Sequence, residues 1–122
     1  MSSRSKNIET LKDIQAFGHQ FLQLSPQQRV SFLAQIRRKQ CGYIRESATN
    51  ILLNNNLSIS STDRDYFRKK KYVLKVIASK GVCLDYNRYL LPKYGSLIKR
   101  IMVIIVNYIG KLMIRYANES NE

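Results

Sequence analysis

The stretch "SLIKRIMVIIVNYIGKLMIRY", Ser96–Tyr116, sets the strongest condition on the fold. Its unbroken apolar run, Ile101–Val106, is far shorter than the ~20 residues of a bilayer span. Lys99, Arg100, Lys111 and Arg115 interrupt the remainder. At ~100° per residue, these cations share one side of a helix with Ser96 and Asn107. Ile98, Ile101, Met102, Ile105, Ile109, Leu112, Met113 and Tyr116 share the other. Such a helix must lay its apolar face on something. Three occupants are open: the core of the domain, a protein partner or second copy, or an anionic membrane surface. The β-branched residues keep a strand over residues 102–106 as an alternative.

Helical spacing recurs upstream. Ile8, Leu11, Ile14, Phe17, Phe21 and Leu22 predict a first helix over residues 7–23. In "SPQQ", Ser25 can cap, Pro26 suits a first turn and Gln28 completes a capping box. Val30, Leu33 and Ile36 give that second helix its apolar face, ending near "RRKQ". A third helix is expected from Cys41 to Leu53, with Ile44, Ala48, Ile51 and Leu52 inward, stopped by Asn54–Asn56. Leu57 and Ile59 form an apolar linker, Ser60 caps a fourth helix, and Gly81 ends it. A short fifth helix over Leu84–Leu91 precedes Pro92 and Gly95, and Ser96 caps the last. The expected fold is all-α, a compact bundle of five or six short helices. One basic domain is expected over residues 7–116, with a disordered N-terminus (1–6) and a polar tail (117–122).

Charge narrows the partner. The 122 residues carry 21 Lys and Arg against 8 Asp and Glu, a net +13. So large an excess repels itself in a compact state unless a polyanion screens it. Nucleic acid and anionic membranes are the default partners. The excess sits in the C-terminal half. "DRDYFRKKKYVLKVIASKG", Asp63–Gly81, is its densest part.

On a straight helix, Arg64, Arg68, Lys71 and Lys75 fall in one stripe, spaced i, i+4, i+7, i+11. Tyr66, Val73, Leu74 and Ile77 fall opposite, Lys69 flanks the stripe, and Lys70 lands within the apolar arc, from which it must snorkel. Solvated helix faces usually interleave acids with bases. No acid lies between Arg68 and Lys80. A linear cation row neutralises phosphates and releases counterions, which gives sequence-independent affinity. Arg37, Arg38 and Lys39 form a second cluster. At the end of the second helix, the dipole alone would favour them. With Lys80 they are the expected outer phosphate contacts. Tyr66, Tyr72, Tyr86 and Tyr89 could stack on bases, though burial is the commoner fate of Tyr.

No reaction emerges. Cys41, Cys83 and His19 are too few for a four-ligand zinc site, and the two thiols are expected buried and free. The helical His19 has no Cys or Ser at a recognised spacing, and no phosphate-binding loop or nucleophile elbow occurs. Asp63 and Asp65 read as complements to the helix dipole rather than metal ligands. The expectation is a binding protein, not an enzyme, with no metal or cofactor. "MSSRSKNIET" lacks the apolar stretch of a signal peptide, so an intracellular, non-secreted location is expected.

The order of segments resembles a group of small basic proteins of adintoviruses and Polinton (Maverick) elements. These are distantly similar to the adenovirus core-protein precursor pX. "SATNILLNNNLSIS" (Ser47–Ser60), "RKKKYVLKVIASKGVCL" (Arg68–Leu84) and "YLLPKYGSLIKRI" (Tyr89–Ile101) carry the resemblance, which covers about residues 20–105. "YLLPKYG" stands where that group has a Gly pair, and Ser61 where it usually has Pro. The resemblance implies a virion-associated, DNA-condensing protein located in the virion and host nucleus, with a capsid protein among its partners.

Overall fold

Capping residues fix several helix ends. The Ser25 hydroxyl accepts from the Gln28 backbone N–H at 3.2 Å, and the Gln28 side chain accepts from the Ser25 N–H at 2.8 Å. The Ser60 hydroxyl accepts from the Asp63 N–H at 3.1 Å. Gly81 adopts φ 80°, a turn that residues with a Cβ disfavour. The computed structural model describes residues 3–53 and 57–120. They form α1 (Ser3–Leu22), α2 (Pro26–Ala34), α3 (Arg38–Leu53), α4 (Ser61–Lys69), α5 (Lys71–Ile77), α6 (Leu84–Leu90) and α7 (Gly95–Ser120). A 3-10 turn, Leu91–Tyr94, joins α6 to α7. No strand occurs among the described residues, and residues 102–106 are helical. The fold is all-α.

The long helices α1 and α7 pack along each other, and α2, α3 and the 3-10 turn close around them. Ile14, Phe17 and Phe21 of α1 meet Ile98, Ile101, Met102, Ile105 and Ile109 of α7 in one buried cluster with Leu33, Ile36, Ile44 and Ala48. Gly18 marks a close approach, where an added Cβ would collide with Val106 Cγ2. Phe17, Phe21, Phe32 and Tyr43 form an aromatic group on the same side. The Arg88 Nε donates to the Ile36 carbonyl at 2.9 Å and fastens α6 to the α2–α3 connection.

Several expectations are corrected. The single helix predicted between the Ser60 cap and Gly81 is two, interrupted at Lys70 (φ −101°, ψ 13°). A continuous helix would set Lys70 between Phe67, Leu74 and Ile77, all buried. The interruption leaves Lys70 exposed, so it need not snorkel. Pro92 and Gly95 do not open a loop. Pro92 is the second residue of the 3-10 turn and Gly95, helical at φ −56°, begins α7, so Ser96 lies inside that helix rather than capping it. Val30 faces solvent and Arg29 takes the buried place beside Leu33. α1 begins at Ser3, four residues before the predicted start, and α7 continues to Ser120, through the first part of the expected tail. Residues 1–2, 54–56 and 121–122 and the Ile8 side chain, with the expectations placed on them, lie outside the described residues.

Candidate nucleic-acid interface

The face predicted for a membrane or partner goes into the core instead. Ile98, Ile101, Met102, Ile105 and Ile109 are buried, while Leu112 and Met113 are half-buried. Of the three occupants open to this helix, the domain itself takes the place. Among the described residues, no helix is long and apolar enough to cross a membrane.

The predicted phosphate contacts remain on the outside. Arg64, Arg68, Lys69, Lys71, Lys75 and Lys80 are all exposed. In α4, Arg64 and Arg68 are one turn apart, as are Lys71 and Lys75 in α5. The interruption at Lys70 does not scatter them. Arg64, Arg68 and Lys71 line one depression, floored by Ile51, Leu52, Ile59, Phe67 and Leu74. Asp65 answers part of this charge through an exposed ion pair with Arg68. Such an exposed pair is worth little in water.

Arg37, Arg38 and Lys39 change meaning. They stand at the start of α3, not at the end of α2. The Gln40 side chain accepts from the Arg37 N–H at 3.0 Å and completes that start. The dipole disfavours cations there, and no acid occupies the first turn to offset them. The structural reason for their presence, an attraction to a helix C-terminus, is removed.

The two clusters belong to one surface. Ile51 and Leu52, late in α3, share a depression with Lys71 and Leu74, while Arg38 and Cys41, early in α3, share a cleft with Gly81–Leu84. α5 therefore runs antiparallel to α3. Arg64, Arg68 and Lys71 meet at the late end of α3, Lys75 lies one turn on in α5, and Lys80 precedes Gly81, which shares a cleft with Arg38 at the early end of α3. α3 itself is 16 residues, about 24 Å long. Tyr72, 80% exposed, lies in α5 and flanks the face that Lys71 and Lys75 share. Tyr86 and Tyr89 are also exposed, with ring centroids 6.4 Å apart and Lys93 over the Tyr89 ring at 3.9 Å. The Lys93 ammonium holds the Tyr89 hydroxyl below its ordinary pKa, by hydrogen bond and by charge. Tyr66 is half-buried beneath Arg100, 3.9 Å above its ring.

A second basic groove lies on the other side of α4. Arg29, Ser96, Lys99 and Arg100 line its upper part, Asn107, Lys111 and Arg115 its lower part. Asp63, Val103 and Ile104 line both. The cations of α7 were legible as one side of a helix, but Arg29 was not. Its neighbour Val30 is the residue that hydrophobicity would turn inward.

The thiols divide. Cys41 is buried and Cys83 exposed, against the expectation of two buried thiols. Burial pushes the Cys41 pKa up. His19 is exposed, and no group of three metal-ligating side chains occurs among the described residues. No family model, curated protein or solved structure matches the chain.

Proposed function

We propose that the protein binds nucleic acid through the phosphate backbone, with little sequence preference, and condenses double-stranded DNA. The observation that carries this reading is the cation strip along α3, α4 and α5. Arg64, Arg68 and Lys71 share one depression, Lys75 is exposed one turn on in α5, Lys80 is exposed next to Gly81 in the chain, and Gly81 shares a cleft with Arg38, with Asp65 paired to Arg68. Lys and Arg on a convex helical surface meet phosphates well. Base reading needs side chains directed at base edges from an element seated in a groove. The Tyr72 ring adds a platform for an unpaired base. The resemblance to the basic core proteins of adintoviruses and Polinton elements points the same way. On that reading the protein acts on a viral or mobile-element genome in the virion and host nucleus, where a capsid protein is a further partner.

The test is binding to duplex DNA across a salt series. Neutralising about four to eight phosphates gives a log–log slope of roughly −4 to −7. Reversing Arg68, Lys71 and Lys75 to Glu should abolish binding while circular dichroism stays unchanged. Unchanged binding in that variant overturns the proposal.

A further inference from the structure

Arg29 is 8% exposed, and its Nε is enclosed without a hydrogen-bond partner. A guanidinium stays charged at any physiological pH. Buried charges are ordinarily paired, because an uncompensated one costs several kcal/mol. Among the described residues no carboxylate pairs with this one. There the ion pair at its cleft is Arg100 with Asp63, a loose contact of 3.5 Å between partly exposed side chains.

The cleft lies between α2 and the first turns of α7, with Asp63 of α4 on its third side. It holds about 370 Å³, within the ~300–1,000 Å³ of ligand clefts. Arg29, Lys99 and Arg100 face one carboxylate, Asp63, and the Ser96 hydroxyl can donate. Two positive charges are left over. We infer that this cleft binds a phosphomonoester dianion, with Arg29 as its buried anchor and Lys99, Arg100 and Ser96 at its rim. A phosphomonoester carries about −1.5 to −2 near neutral pH and offers three strong acceptors. That charge matches the excess, and the acceptors match guanidinium, ammonium and hydroxyl donors. Arg100 is held for the task by the Tyr66 ring beneath it and by Asp63 beside it. Val103 and Ile104 form an apolar wall that keeps the local dielectric low and strengthens the pairing. The site stands apart from the strip on α4 and α5 and does not rest on it.

The experiment is thermal unfolding of the full chain in inorganic phosphate against chloride at matched ionic strength. Phosphate should raise Tm more than chloride does. Arg29→Met keeps the apolar stem and should lose this difference, while duplex DNA binding through α4 and α5 keeps its salt slope. Lys71→Gln should keep the phosphate difference. If Arg29→Met fails to fold, Lys99→Gln at the exposed rim decides, with phosphate affinity expected to fall about tenfold. Equal shifts in phosphate and chloride, or a phosphate response unchanged in the decisive variant, overturn the inference. Competition by a 5′-phosphorylated dinucleotide but not its 5′-hydroxyl form identifies a nucleic-acid end as the source. Competition by neither overturns the phosphomonoester assignment and leaves inorganic phosphate alone as the anion bound.

Discussion

The α4–α5 segment and α7 are made of the same two ingredients, an apolar arc and a row of cations. They end up as different objects. In α7 the cations Lys99, Arg100, Lys111 and Arg115 all avoid the arc of Ile98, Ile101, Met102, Ile105 and Ile109. The helix continues for 26 residues and becomes the spine of the core. In the other segment one cation, Lys70, falls inside the arc of Phe67, Leu74 and Ile77, and the helix stops there. The number of charges does not decide whether a basic helix is continuous. Their angular position does.

The comparison breaks first at α7. Ile101→Ala should cost about 2–5 kcal/mol of stability by urea unfolding, since the side chain is fully enclosed. A loss under 1 kcal/mol would mean that α7 is not the spine. Next comes the contact that α7 makes with α1. Gly18→Ala gains up to ~1 kcal/mol of helix propensity but loses about 1–3 kcal/mol to overpacking against Val106. The net should be destabilising, and a raised Tm would show the two helices to be further apart. Lys70→Leu sharpens the contrast directly. It should join α4 to α5 and stabilise the domain by about 1 kcal/mol, with slower amide exchange at Lys71–Leu74. A helix still interrupted in that variant would refute the account of Lys70. The smallest effect belongs to Asp65→Asn. It should change stability by less than ~0.5 kcal/mol yet tighten DNA binding, because Arg68 is freed. Weaker DNA binding would place Asp65 in a supporting role.

Legibility in the sequence followed the same division. Ser25 and Ser60 announced their helices because capping is local chemistry, settled within four residues. The α7 stripe was legible because hydrophobic period alone defines it. What the local pattern could not reveal was which helix owns a residue between two. Arg37–Lys39 follow a helical stretch and precede another. Only the hydrogen bond from the Arg37 N–H to Gln40, with the end of α2 at Ala34, assigns them to α3. The inward turn of Arg29 is a tertiary outcome. It follows from how α2 rolls against α7 and the 3-10 turn, which no single-helix projection contains. The strip uniting Arg38 with Lys71 is likewise a product of the α3–α5 pairing and not of spacing.

The pairing of α1 with α7 has a consequence for synthesis. Ile14, Phe17 and Phe21 leave the ribosome early, and the α7 residues that cover them leave late. At roughly 5–20 residues per second, the first helix waits several seconds with its apolar face uncovered. The long sequence separation also slows the search for that contact. During the later part of the wait, the nascent chain also displays the cations of α3, α4 and α5 beside ribosomal RNA. A translating copy of this protein should therefore depend on a chaperone for its first helix until α7 arrives.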